Sequence, residues 1–193
     1  MSESSLFVIN KDYFGEEICT YKNSWLFVPC IWRVLCKEYL KKEFSMFDNF
    51  IPTLNEKINN SDMLYDRICW ELSMQQIFFS RNKTVVAQAI RTFIKCHSSE
   101  HFGESHIERF EEIAKDIENI DENEYPFFVF KNTSCDDHVE SWFCRNGSDI
   151  SLKDASNLLC EFVVIEDGQI TDFISNIEFD YENGGRKEGA ENA

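Results

Sequence analysis

The fold turns on the stretch "DIENIDENEYPFFVF", Asp116 to Phe130. Its first nine residues hold five acids and no Lys or Arg, and a block of aromatic residues follows directly. Upstream, Ile107, Phe110, Ile113, Ala114, Ile117 and Ile120 recur at three- and four-residue steps. That spacing predicts an amphipathic helix with one buried stripe. Downstream, "YPFFVFKN" (Tyr125 to Asn132) is too short and too aromatic for a helix and reads as a buried strand. Pro126 biases the preceding residue away from helix and marks the boundary. The junction therefore separates a helical part from a sheet-containing part.

Helical patterns continue toward the N-terminus. "TVVAQAIRTFIKCH" has Thr84 as cap, with Val86, Ile90, Phe93 and Ile94 on one face. "SDMLYDRICWELSMQQIFFS" starts at a capping Ser61 and carries Met63, Leu64, Ile68, Cys69 and Leu72 at helical spacing. A further helix is predicted to begin near Ser24, with Pro29 in or ahead of its first turn and Lys37, Lys41 and Lys42 near its end. "SLFVIN" (Ser5 to Asn10) reads as a short strand at a sheet edge.

Beyond the junction, "HVESWFCRNG" reads as a strand ending in an Asn-Gly turn. "SLKDASNLLCEF" reads as a short helix capped by Ser151. Two apolar runs flank Asp167-Gly168, a strong hairpin signal, and "SNIEFDY" extends the second of them. The expected fold is α+β: a helical N-terminal two thirds packed with a small, mainly antiparallel C-terminal β-sheet around one core. Residues 1–182 form one domain, helical over about 1–122 and sheet-containing over about 123–182. The polar, glycine-rich residues 183–193 form a mobile tail.

Bulk composition narrows the function classes. The chain has 193 residues, 43% hydrophobic and 28% charged, with 18 Phe, which is enough for one sizeable core. The eight cysteines read as reduced thiols, several of them inside apolar helical patterns, and the N-terminus lacks the features of a signal peptide. A cytoplasmic protein with no membrane partner is expected.

Net charge is −16 and lies on one side of the sequence. Residues 1–100 hold 12 acidic and 12 basic side chains, whereas residues 101–193 hold 23 and 7. With no basic stripe, a nucleic-acid partner is not expected. A one-sided acidic field instead steers basic proteins.

The acids on the predicted helix carry a local conflict. Glu108/Glu112, Glu112/Asp116 and Glu118/Glu122 are like charges four apart, each costing roughly 0.2–0.5 kcal/mol in an isolated helix. Glu118, Asp121, Glu122 and Glu124 crowd the helix C-terminus, where the dipole favours cations. Local stability does not explain the pattern. It reads either as a solvated face or as a docking surface of Glu108, Glu111, Glu112, Asp116, Glu118, Asp121, Glu122 and Glu124. Asp136, Asp137 and Glu140 extend that surface, with Trp142 as a candidate exposed anchor.

Chemistry-bearing motifs are sparse. Cys135, His138, Cys144 and Cys160, or Cys96 with His97, His101 and His106, offer zinc-ligating atoms but no matching pairs at zinc-finger spacing. No Gly-x-Ser-x-Gly or phosphate-cradling loop occurs, and Cys96-His97 or Cys135 with His138 are weak dyads. No catalytic residue, metal or cofactor is expected. The expected function is an acidic inhibitor, a bacterial toxin-neutralising (immunity) protein that covers a basic cognate toxin such as a nuclease. A phage-encoded nucleic-acid mimic, an adaptor subunit, or a metal- or Cys/His-dependent enzyme are the alternatives.

Overall fold

The aromatic run after Pro126 becomes a central strand. In the computed structural model, which describes residues 2–97, 99–132, 142–145, 148–155 and 158–189, β4 (Phe127–Asn132) is buried along its whole length. Its apolar residues point alternately to two different cores, which is why it reads as a continuous apolar run and not as an alternating one. Five partners complete a six-stranded sheet: β1 (Glu3–Ile9), β2 (Gly15–Lys22), β3 (Ile77–Phe79), β7 (Glu161–Glu166) and β8 (Gln169–Ser175). The order is β2-β1-β4-β3-β7-β8. Only β3 and β7 run parallel, so the sheet is mixed. Two small two-stranded sheets pair β5 (Cys144–Arg145) with β6 (Ser148–Asp149) and β9 (Phe179–Asp180) with β10 (Gly185–Arg186).

Five helices, among the described residues, are α1 (Val28–Leu35), α2 (Ile51–Asn59), α3 (Leu64–Ser73), α4 (Lys83–Cys96) and α5 (Glu104–Glu118). Their apolar stripes form one core with the sheet face of Leu6, Val8, Phe78, Phe128, Phe130 and Val163. The opposite face presents Phe7, Ile77, Phe79, Phe127, Val129 and Phe162. Segments after β4 cover it: Phe143, Leu152, Cys160 and Phe179 pack there, and the Phe162 and Phe179 rings stack at 3.8 Å. Phe143 comes so close to β2 that a Cβ on Gly15 would overlap its ring. Each fully buried Phe contributes roughly 1.5–3 kcal/mol of transfer free energy.

The mixed α/β character agrees with the sequence reading, but its segregation into a helical two thirds and a later sheet does not. Half of the six-stranded sheet precedes the junction, because β1, β2 and β3 all lie before residue 123. The SLFVIN strand is interior, hydrogen-bonded to β2 on one side and β4 on the other, rather than an edge. β2 carries no clean alternation because a bulge at its centre, opposite Leu6/Phe7, shifts its register. The helix expected over 61–80 stops at Ser73; Gln75 adopts φ 58° and the chain reverses into β3. Packing decides this: Ile77, Phe78 and Phe79 are all buried, on both sheet faces, and Phe78 stacks on Phe128 at 5.6 Å.

Smaller differences follow the same logic. Ser24 opens a 3-10 turn, and α1 starts at Val28 with Pro29 in its first turn. Met63 and Asn82 stand at the N-caps predicted for Ser61 and Thr84. Among the described residues of the 151–162 segment, the helical part is a 3-10 turn, Leu152–Asp154. The Asp167-Gly168 hairpin forms as read, both residues at positive φ (49° and 71°), as a tight hairpin turn requires. Phe179–Asp180 does not extend β8 but pairs with Gly185–Arg186, inside the segment read as tail. There Arg186 binds Asp172 (2.8 Å) and Glu178. No helix among the described residues is long and apolar enough to cross a membrane.

Candidate docking surface

Helix α5 buries Phe110, Ile113, Ala114 and Ile117 and turns its acids outward. Glu111 and Glu118 are two turns apart and so share one stripe, along the flank that faces α4. Arg91 of α4 reaches across and binds both: Nε donates to Glu111 Oε2 at 2.9 Å and Nη1 to Glu118 Oε1 at 2.6 Å. A second bond, from Nη2 to Glu118 Oε2 at 2.8 Å, makes the Glu118 contact a two-pronged fork. These hydrogen bonds hold the Glu118 carboxyl below the usual range and the guanidinium above its own. The acid that opposes the helix dipole is thus neutralised by a neighbouring helix.

The other flank of α5 faces β2. Arg109 binds Glu112 at 2.8 Å, donates to the Lys22 carbonyl at 2.8 Å and lies over the Tyr21 ring. The Tyr21 hydroxyl donates to Asp116 Oδ2 at 2.8 Å. Burial, then the Asp116 carboxylate, pushes the Cys19 thiol and the Tyr21 phenol up. Four of the eight acids assigned to this helix and its end therefore have tertiary partners: Glu111, Glu112, Asp116 and Glu118.

The other four, Glu108, Asp121, Glu122 and Glu124, are exposed and make no ion pair among the described residues. Three of them sit in the turn between α5 and β4, where Asp121 Oδ1 accepts the Asn123 N–H at 2.9 Å. Tyr125 closes that turn against the sheet edge, its hydroxyl 3.1 Å from Glu16 Oε2 of β2. The result is an acidic corner of Glu16, Asp121, Glu122 and Glu124. Glu16 was missed because its segment shows no strand pattern, so nothing in the sequence brings it to residue 125.

Asp136, Asp137 and Glu140 lie outside the described residues, as do Cys135 and His138. Trp142 is half-buried, edge-on to Phe143 at 6.4 Å and packed on the second core, so it is not an exposed anchor. The exposed tryptophan is Trp25, at 47%, in the 3-10 turn that packs against α5, where Ile107 is 48% exposed.

The histidines and cysteines have separate surroundings. His97 Nε2 is 2.6 Å from Asp66 Oδ1, and Asp66 Oδ2 accepts the Tyr39 hydroxyl at 2.6 Å. This buried cluster ties the N-terminus of α3 to the C-terminus of α4. His106 Nδ1 accepts the Gly103 N–H at the start of α5. Cys160 is buried on the second sheet face, where desolvation pushes its thiol up to about 12. Cys19, Cys30, Cys36, Cys69, Cys96 and Cys160 are free thiols. Among the described residues no group of three or more His, Cys, Asp or Glu side chains is placed to hold a metal ion.

Compared with models of known families, with curated proteins and with solved structures, the chain matches none of them.

Proposed function

We propose that this chain acts by binding a basic protein, and that the partner is a toxin, such as a nuclease, which it neutralises by covering a cationic active site. The observation that carries the reading is the acidic corner: Asp121, Glu122 and Glu124 are exposed without ion partners among the described residues, beside Glu16 on an edge strand. Carboxylates left uncompensated on a surface raise the encounter rate with a basic partner and select against acidic ones. The Arg91-bridged acids contribute less to this field, because one guanidinium offsets half of their charge within the fold. Trp25, in the 3-10 turn packed on α5, and Ile107, in the first turns of α5, supply exposed apolar area of the kind interfaces concentrate. On this reading the chain has no catalytic residue of its own.

The test is recovery of the partner from the native host, followed by kinetics on the purified pair. A basic protein in one-to-one complex, with its activity blocked, is expected. The triple reversal Asp121→Lys, Glu122→Lys, Glu124→Lys should slow association by about tenfold at low salt, a difference that shrinks as salt rises. Reversals at Glu111 and Glu118 should change association less. A partner bound equally fast by the triple variant, or an acidic partner, would overturn the proposal.

A further inference from the structure

A second acid-bearing feature lies far from α5, at the other end of the sheet. Between α2, α3 and the ends of β7 and β8 is a pocket of about 220 Å³. Two carboxylates line it, Glu71 of α3 and Glu161 at the start of β7. Glu71 is 4% exposed, yet among the described residues its carboxylate makes no hydrogen bond and no ion pair. Its oxygens are not among the fully buried unpartnered atoms, so they open on the pocket, and a carboxylate so deeply set is destabilising unless something in the pocket fills the need. The nearest basic influence is Arg67, one turn earlier on α3, whose own Nε is buried without a partner.

The rest of the lining is aromatic, amide and aliphatic, the last from Ile51, Pro52 and Met74. Trp70 forms part of the wall, its Nε1 donating to Asn55 Oδ1 at 2.8 Å, and Phe173 of β8 stands opposite the helices. Asn59 adds a second carboxamide at the exposed mouth. The backbone around the two carboxylates is fixed: Glu161 N–H donates to Gln76 Oε1 at 2.5 Å, and Gln76 N–H to the Glu71 carbonyl at 3.1 Å. The volume is below the roughly 300–1,000 Å³ of drug-sized sites, and matches one small group.

We propose that this pocket binds a guanidinium group, held between Glu71 and Glu161 against the Trp70 and Phe173 rings. Two acids facing a small space call for a cation. Two aromatic walls favour the planar, weakly hydrated guanidinium over a compact ammonium. Carboxylates take its N–H groups in pairs, and the amide oxygens at the mouth can accept the remainder. Burial, then the nearby Glu161 charge, pushes the Glu71 carboxyl up to about 8, so the empty pocket at neutral pH holds a mostly protonated acid. Guanidinium entry expels that proton. The source of the group is either a free small molecule or an arginine side chain on another polypeptide.

The experiment follows the Trp70 indole N–H resonance of the full chain during titration with methylguanidinium, with acetyl-arginine amide and with butylammonium. Methylguanidinium is expected to shift the resonance saturably, with butylammonium at least tenfold weaker. Affinity should rise by about tenfold from pH 6 to pH 7, because binding releases a proton. Glu71→Gln and Glu161→Gln should each weaken binding by tenfold or more. Acetyl-arginine amide binding at least as tightly as methylguanidinium assigns the site to a polypeptide side chain; its exclusion assigns it to a free ligand. No shift with either guanidinium, equal binding of butylammonium, or unchanged affinity in both variants would overturn the proposal. It is independent of the acidic corner, and either can fail alone.

Discussion

Glu118 and Glu71 are both acids on helices, and their environments are opposite. Glu118 sits at an exposed helix end, where it opposes the dipole and stands four residues from Glu122. Arg91 nevertheless answers it with a two-pronged contact, and its carboxyl is held low. Glu71 lies within the apolar pattern of α3, carries no local conflict, and is left buried without a partner and with its carboxyl pushed up to about 8. A charge that looks anomalous in sequence can be structurally satisfied, while one that looks ordinary is not. Asp66 is the third case: more buried than Glu71 but bonded on both oxygens, to His97 and Tyr39.

The sharpest way to break the comparison is at Asp66. Asp66→Ala strands the His97 ring and leaves the Tyr39 hydroxyl with Ser61 Oγ as its partner, and should lower unfolding stability by about 3 kcal/mol in a denaturant titration. A loss under about 1 kcal/mol would mean that burial with partners and burial without them matter equally here.

Glu71→Gln should act in the opposite direction, by an amount that grows as pH rises above about 4.5. The folded carboxyl has a higher affinity for its proton than the unfolded one. Its contribution is fully present below about pH 4.5 and is lost as pH rises through about 8. The amide needs no proton, so at pH 9 the variant should be more stable by on the order of 3 kcal/mol, and at pH 4 equal to the parent. Thermal melts across that range check it. A variant destabilised at pH 9 would show that the carboxylate has a partner in solution.

Arg91→Met gives the smallest effect. The exposed pairs with Glu111 and Glu118 should be worth about 1 kcal/mol in low salt and less in 1 M salt. A loss that persists undiminished at high salt would point to packing of the Arg91 stem rather than to its charge.

Residues with short-range signals were legible in the sequence. The apolar stripe from Phe110 to Ile117 gave α5, although Ile107, read as part of it, is exposed; the Asp167-Gly168 pair gave the β7–β8 turn, and the Phe127–Phe130 block gave β4. β3 was not legible, because three apolar residues after a helical pattern fit either period, and only pairing with β4 and β7 selects the strand. β2 was not, because its bulge breaks the alternation. At the sites, the sequence exposed the acids of α5 but not Arg91, twenty residues from Glu111 and twenty-seven from Glu118. It gave no sign that Glu71 and Glu161, ninety positions apart, share a pocket.

By itself, then, the sequence determined which segments are amphipathic, where the chain must turn, and that the negative charge is concentrated in its second half. Those are properties of neighbours along the chain, set by backbone geometry and side-chain period. Tertiary structure alone decided that the sheet draws strands from both halves, that Arg91 bridges two of the conspicuous acids, and that Glu71 is left facing a pocket. Each of these depends on distance through space and on loss of water around a charge, and neither quantity is written in local order.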